Sequence, residues 1–220
     1  MTIARSVCAA LSVLSLAQFT NAGLMLDQQP VDDGNIQFSG ALGFETVTDE
    51  STLRFSRSGN NNVRNAVLEF SLAMLPSDAT ITGAVFQFET AGLLSNVGGA
   101  PAPVEAFVFA GDGSVTDDDH QNLTEGLAAG SIELPTGSAT PIGSFIELTL
   151  DPSVIQSVVN DGASFLTLRL QTQNFATVSL RSLETDEPKG VLPTLLLAYI
   201  PAPGAFGLAG VALLTARRRR

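Results

Sequence analysis

The chain has 220 residues, 22 of them acidic and 11 basic, for a net charge of −11. Between residues 23 and 202 only Arg54, Arg57, Arg64, Arg169, Arg181 and Lys189 oppose all 22 acids, a net of −16. A body that acidic repels phosphate backbones, which argues against nucleic acid as a partner. The one cysteine, Cys8, lies in the first 22 residues, so the rest of the chain has no disulfide, cysteine nucleophile or thiolate metal site.

Residues 1–22 read as a secretory signal peptide. Arg5 supplies a short positive region, "VCAALSVLSLA" an apolar core, and "TNA" a small-residue cleavage site between Ala22 and Gly23. The expected partners are the Sec machinery and signal peptidase. With no disulfide available, the exported body over residues 23–200 must be held by its hydrophobic core.

Alternation of apolar and polar residues predicts strands through that body. "RNAVLEFSL" sets Leu68, Phe70 and Leu72 against Val67, Glu69 and Ser71. "TITGAVFQFET" sets Ala84, Phe86 and Phe88 against Val85, Gln87 and Glu89, and "EAFVFAG" and "SFIELTL" continue the pattern. One helix is predicted after Asp151, which caps it, with Pro152 in its first turn and "NDG" (residues 160–162) ending it. Its apolar side, Val154, Ile155, Val158 and Val159, suits a plug across one end of the fold. "SFLTLRL" and "FATVSLR" follow as strands, and "LPTLLLAYI" is apolar enough for a strand covered on both faces. Turn signals such as "LPSDA", "VGGAPAP", "AGDGS" and "LPTGSATP" separate the runs. Short strands at this spacing predict an all-β, jelly-roll-like sandwich with one short helix, flanked by the N-terminal signal helix and a short C-terminal hydrophobic helix.

Three clusters carry candidate chemistry. "GDGSVTDDDHQN" places Asp112, Asp117, Asp118 and Asp119 in one loop, hard oxygen donors of the kind calcium takes; a solvated acidic loop is the alternative. His120, the lone histidine, reads as a surface residue of that loop, and Asn122 in "NLT" matches a glycosylation acceptor. Glu69, Glu89, Glu105 and Glu147 lie in predicted strands; two of them facing across a cleft would suit glycoside cleavage, and exposure on strand surfaces accounts for each equally well. No phosphate loop, dinucleotide fingerprint or serine elbow occurs. Glu184 is placed to pair with Arg181 or Arg64 near the last strand.

The stretches "RNAVLEFSLAMLPSDATITGAVFQFET", "IELTLDPSVIQSVVNDGASFLTLRL" and "LRSLETDEPKGVLPTLLLAYI" together resemble the DNRLRE-type jelly-roll domains, sandwiches akin to carbohydrate-binding modules, over about Thr52 to Tyr199. That resemblance implies a bacterial surface protein and extracellular polysaccharide as a candidate partner. Stacking on sugar rings usually falls to Trp or Tyr. The chain has no Trp, one Tyr and thirteen Phe, most of which the alternation points inward.

The C-terminus, residues 201–220, joins Pro201, Ala202, Pro203 and Gly204 to twelve nearly apolar residues and the basic run Arg217, Arg218, Arg219 and Arg220. Twelve helical residues span about 18 Å, short of the roughly 30 Å hydrocarbon core. The layout resembles the PEP-CTERM sorting signal, with Ala202 where that signal has glutamate. It implies an exosortase-like protease as partner and a transient stay in the inner membrane. The sequence thus leads to the expectation of an exported, non-catalytic structural or adhesive protein. A polysaccharide-binding module, calcium-supported or not, is the alternative, and a polysaccharide lyase or glycosidase the third.

Overall fold

The structure is a computed structural model. It describes residues 23–202 apart from 42, 49, 60–61, 118, 120–125, 174 and 185–190. Twelve strands and one helix follow in order: β1 (Leu24–Gln28), β2 (Asp32–Ser39), β3 (Gly43–Val47), β4 (Thr52–Arg57), β5 (Asn62–Ser71), β6 (Thr80–Glu89), β7 (Ala102–Gly111), β8 (Leu127–Leu134), β9 (Phe145–Leu150), α1 (Pro152–Asn160), β10 (Phe165–Gln171), β11 (Thr177–Arg181) and β12 (Thr194–Ile200).

They make two antiparallel sheets, a β-sandwich. The smaller runs β1-β12-β6-β9. In the larger, β5 is the hub: β2 lies along one edge, while its other edge is shared end to end by β4 and β10. β10 continues to β7 and β8, β2 pairs outward with β3, and β4 pairs with β11. Side chains alternate across a strand. Ala66, Leu68 and Phe70 of β5 therefore join Leu166, Leu168 and Leu170 of β10 on the inner face, opposite Phe86, Leu148, Leu195 and Leu197 of the smaller sheet. Phe86 meets Phe70 edge-on at 6.3 Å and stacks on Phe88 at 5.5 Å, arrangements that aromatic rings favour.

Two devices hold β4 and β11 in place, the second across the layers. β4 pairs with β5 only at Ser56 and Arg57, then parts from it. The backbone N–H of Arg54, freed there, donates to Asn35 Oδ1 at 2.7 Å, so a fully buried amide replaces a missing ladder partner. β11, carried along by β4, bridges to the segment after β6: Ala91 N–H reaches the Ser179 carbonyl and Thr177 exchanges two bonds with Ser95. The Arg181 Nε to Glu89 Oε1 pair (2.8 Å) fastens the same seam.

α1 forms where the sequence predicts it. Asp151 Oδ1 accepts the Ser153 N–H at 2.8 Å, and Pro152 occupies the first turn. Buried Ile155 and Val158 face the opening between the sheets, and Gln156 holds the Ile81 N–H and Ala79 carbonyl of the β6 approach. The helix packs against β6 on one side and β7 and β8 on the other, closing that end. β12 departs from its expectation: Leu195, Leu197 and Tyr199 are buried, but Leu196, Ala198 and Ile200 on the other face are only half-buried.

Candidate functional site

The acidic loop after β7 folds down over the outer face of the larger sheet. Gly113 N–H donates to Glu69 Oε2 (3.3 Å), Val115 N–H to Asp32 Oδ2 (2.8 Å), and Val115 packs on Ile36 and Val67. Glu69 is fully buried, as are Thr167, whose hydroxyl donates to it, and Arg169. Burial, with Asp119 and Asp112 adding, pushes the Glu69 carboxyl up to about 7 against the pull of Thr167 and Gly113. Gly111 permits this approach: a Cβ there would stand 2.1 Å from Glu69 Oε2 and 2.5 Å from Thr167 Oγ1. The Arg169 guanidinium lies 5.2 Å from the Phe107 ring centre and 5.8 Å from that of Phe109. Burial lowers it to about 10, and the Asp119 charge opposes the shift.

Asp112, Asp117 and Asp119, three of the four aspartates read as calcium ligands, each make a separate contact. Asp112 accepts the Ser114 N–H (2.9 Å), Asp117 accepts the Thr46 hydroxyl, and Asp119 is buried, accepting the Thr116 N–H (2.7 Å). Asp118, His120 and Asn122 lie outside the described residues. Among the described residues no group of three His, Cys, Asp or Glu gathers to hold a metal ion. Asp112 and Asp119 thus hold turns of the loop itself, and Asp117 meets β3.

The strand glutamates divide. Glu147 accepts from Gln87 at the exposed surface, as a surface reading expects. Glu69 and Glu89 are buried instead, the first under the loop and the second in the seam, where the Val191 N–H and Arg181 hold its carboxyl below the usual range. Glu184 is exposed and pairs with neither predicted arginine: Arg64 takes Glu50, and Arg181 takes Glu89. Glu184 lies near Asp33 instead. Burial raises that buried carboxyl to about 7, Glu184 adding to the rise and the Leu183 N–H opposing it.

Described residues also line concave regions in two places. A hollow of about 590 Å³ lies beside Phe175, Val97, Pro103, Glu105, Glu133 and Gln173. Phe175 is 59% exposed and sits at φ +59°, a left-handed backbone that a bulky side chain rarely adopts. Glu105 is held at both oxygens, by Gln171 (2.9 Å) and Gln173. Alternation in the run beginning "FATVSLR" gave no sign that its Phe leads outward from a turn. The second region, where β4 leaves β5, comprises hollows of about 300 and 470 Å³ that share Arg54 and Arg64.

Of the residues read as processing sites, Gly23 is exposed just before β1, and Pro201 and Ala202 follow β12 without regular structure. Ala22, Pro203, Gly204 and Arg217 to Arg220 lie outside the described residues. Leu24 pairs with Tyr199, so the described chain begins and ends on neighbouring strands at one end of the sandwich. Among the described residues no helix is long and apolar enough to cross a membrane.

Fold and sites together define a β-sandwich protein. No protein-family model matches the chain. No curated protein matches it. Solved structures that resemble it include a chain from "Israeli acute paralysis virus heated to 63 degree - full particle", at 11% identity and a TM-score of 0.26, with 92% of this chain and 81% of that one covered. A likeness of that size carries no argument about function.

Proposed function

We propose that this is an exported, non-catalytic protein of the cell surface or extracellular matrix, with a structural or adhesive role. In this reading the Sec machinery delivers the chain and signal peptidase cuts after Ala22. The segment from Pro201 holds it briefly in the inner membrane until an exosortase-like protease acts. The body is a jelly-roll sandwich of the DNRLRE type. The observation that carries the reading is the placement of the folded unit between the two signals. The first described strand starts at Leu24, the last ends at Ile200, and the two are hydrogen-bonded neighbours, so both end segments join the sandwich at one end. Fractionation of cells making the full chain, compared with a version lacking residues 203–220, tests it. The full chain is expected at the surface or in the matrix and the shortened chain in the soluble periplasmic or secreted fraction; the same distribution for both contradicts the sorting role.

A second reading, a polysaccharide-binding module, is favoured by the Phe175 hollow. An exposed aromatic ring held at strained backbone geometry faces pinned carboxylate and amide groups, the combination that grips a neutral sugar by stacking and hydrogen bonds. Binding of neutral oligosaccharides that Phe175→Ala removes supports this reading; binding indifferent to that change contradicts it.

A further inference from the structure

Two of the six basic residues between 23 and 202 meet where β4 parts from β5: Arg54 on β4 and Arg64 on β5. Ser56 pairs with Arg64, and strand alternation puts Arg54 on the same face as Ser56. Arg54 and Arg64 therefore stand together between the two hollows they share. In the larger hollow Glu50 is the carboxylate: it pairs with Arg64 and accepts the Asn35 amide at 2.7 Å. In the smaller one the arginines stand with Gln37, Ser56 and Asn62, and among the described residues no carboxylate lines the wall. Arg54 is exposed, and among the described residues no carboxylate pairs with it.

Two guanidinium groups held side by side repel each other, and one internal carboxylate neutralises only one of them. Guanidinium forks match planar oxyanions through paired N–H donors. Ser56 and Asn62, on the same face as Arg64, give hydroxyl and amide partners for hydroxyl groups. A volume near 300 Å³ is at the small end of ligand pockets, enough for one ring rather than an extended chain.

We infer that the hollow at the β4–β5 fork binds an acidic saccharide unit, with its oxyanion on Arg54 and Arg64 and its hydroxyl groups on Ser56 and Asn62. Glu50 holds Arg64 before the ligand arrives and competes with it for that arginine. The inference rests on the binding reading above and gives it a second ligand class at a separate site.

The test is calorimetric titration of the processed protein with a galacturonate oligomer, a sulfated galactan oligomer and a neutral xylan oligomer, at low and high salt. At least one anionic oligomer binds, and high salt weakens it. Arg54→Gln lowers its affinity about tenfold, the loss of one charge-assisted fork, and Glu50→Gln raises it about threefold by removing the competitor. Equal thermal midpoints for the variants show that both fold. Uronate binding alone assigns a carboxylate, and sulfated-oligomer binding alone a sulfate. Anion binding unchanged in Arg54→Gln overturns the inference, as does no anion binding by either the parent or Glu50→Gln. Neutral-oligomer binding that requires Phe175, without anion binding, overturns it while leaving the binding reading in place; no binding of any oligomer overturns both.

Discussion

The two faces of the larger sheet are both buried, by opposite means. On the inner face Leu68, Phe70, Leu166, Leu168 and Leu170 pack against the smaller sheet, and dispersion and dehydration do the work. On the outer face the same two strands present Val67, Glu69, Thr167 and Arg169, buried under a loop that brings its own aspartates. The inner face tolerates any shape-compatible apolar set. The outer one holds ionisable groups whose charges depend on one another, so it ties the loop's position to protonation in a way the inner face does not.

Truncation should separate the two kinds of burial. Leu168→Ala is expected to cost about 3 kcal/mol, independent of pH, from lost transfer energy and a cavity. Asp119→Ala should cost on the order of 3 kcal/mol, because it removes a charge that opposes the burial of the Arg169 guanidinium. Chemical denaturation at several pH values measures both. A large Leu168→Ala effect beside a negligible Asp119→Ala effect would mean that the loop adds little to stability.

The next effect concerns pH. Glu69 and Asp33 hold their protons more tightly when folded, each at about 7 against ordinary values of 4.5 and 3.8. Their contribution is fully present below about pH 4 and is lost as pH rises through about 7. Glu89 and Asp151 are shifted down, so their contribution is present above the ordinary carboxylate range and lost on acidification. Thermal stability should therefore peak near pH 5 and decline toward pH 8, and Glu69→Gln should flatten part of that decline. A midpoint still rising from pH 5 to pH 8 would break the assignment of a protonated outer-face carboxyl. The smallest effect is local: Asp151→Ala should lower the thermal midpoint slightly through loss of the α1 cap.

The same contrast explains how much of the fold could be read from the chain. The runs that alternate around Leu, Val and Phe became β5, β6, β7, β9, β10, β11 and β12, and α1 followed its capping residues. β2, with the sequence DDGNIQFS, carries residues depleted in strands, and it holds because Asp32, Asp33 and Asn35 each accept a backbone N–H from elsewhere. β8 (LAAGSIEL) is built of small residues, and at Gly130 a Cβ would come within 2.4 Å of the Thr149 carbonyl, so the strand is shaped by proximity to β9 rather than by propensity. Alternation set Glu69 opposite the Leu68, Phe70 and Leu72 face of its run but could not show that the loop after β7 would cover it. The arginines of the fork were visible individually. Their meeting depends on β4 abandoning β5 after two paired residues, a long-range event without a local sequence signature.

The central claim, that the sandwich is exported and released from both end segments, is tested most directly by the intact mass of the protein recovered from cells expressing the full chain. The account predicts a species that begins at Gly23 and lacks the terminal run Arg217 to Arg220. A mass that retains Arg220, or one that still includes residues 1–22, would contradict it.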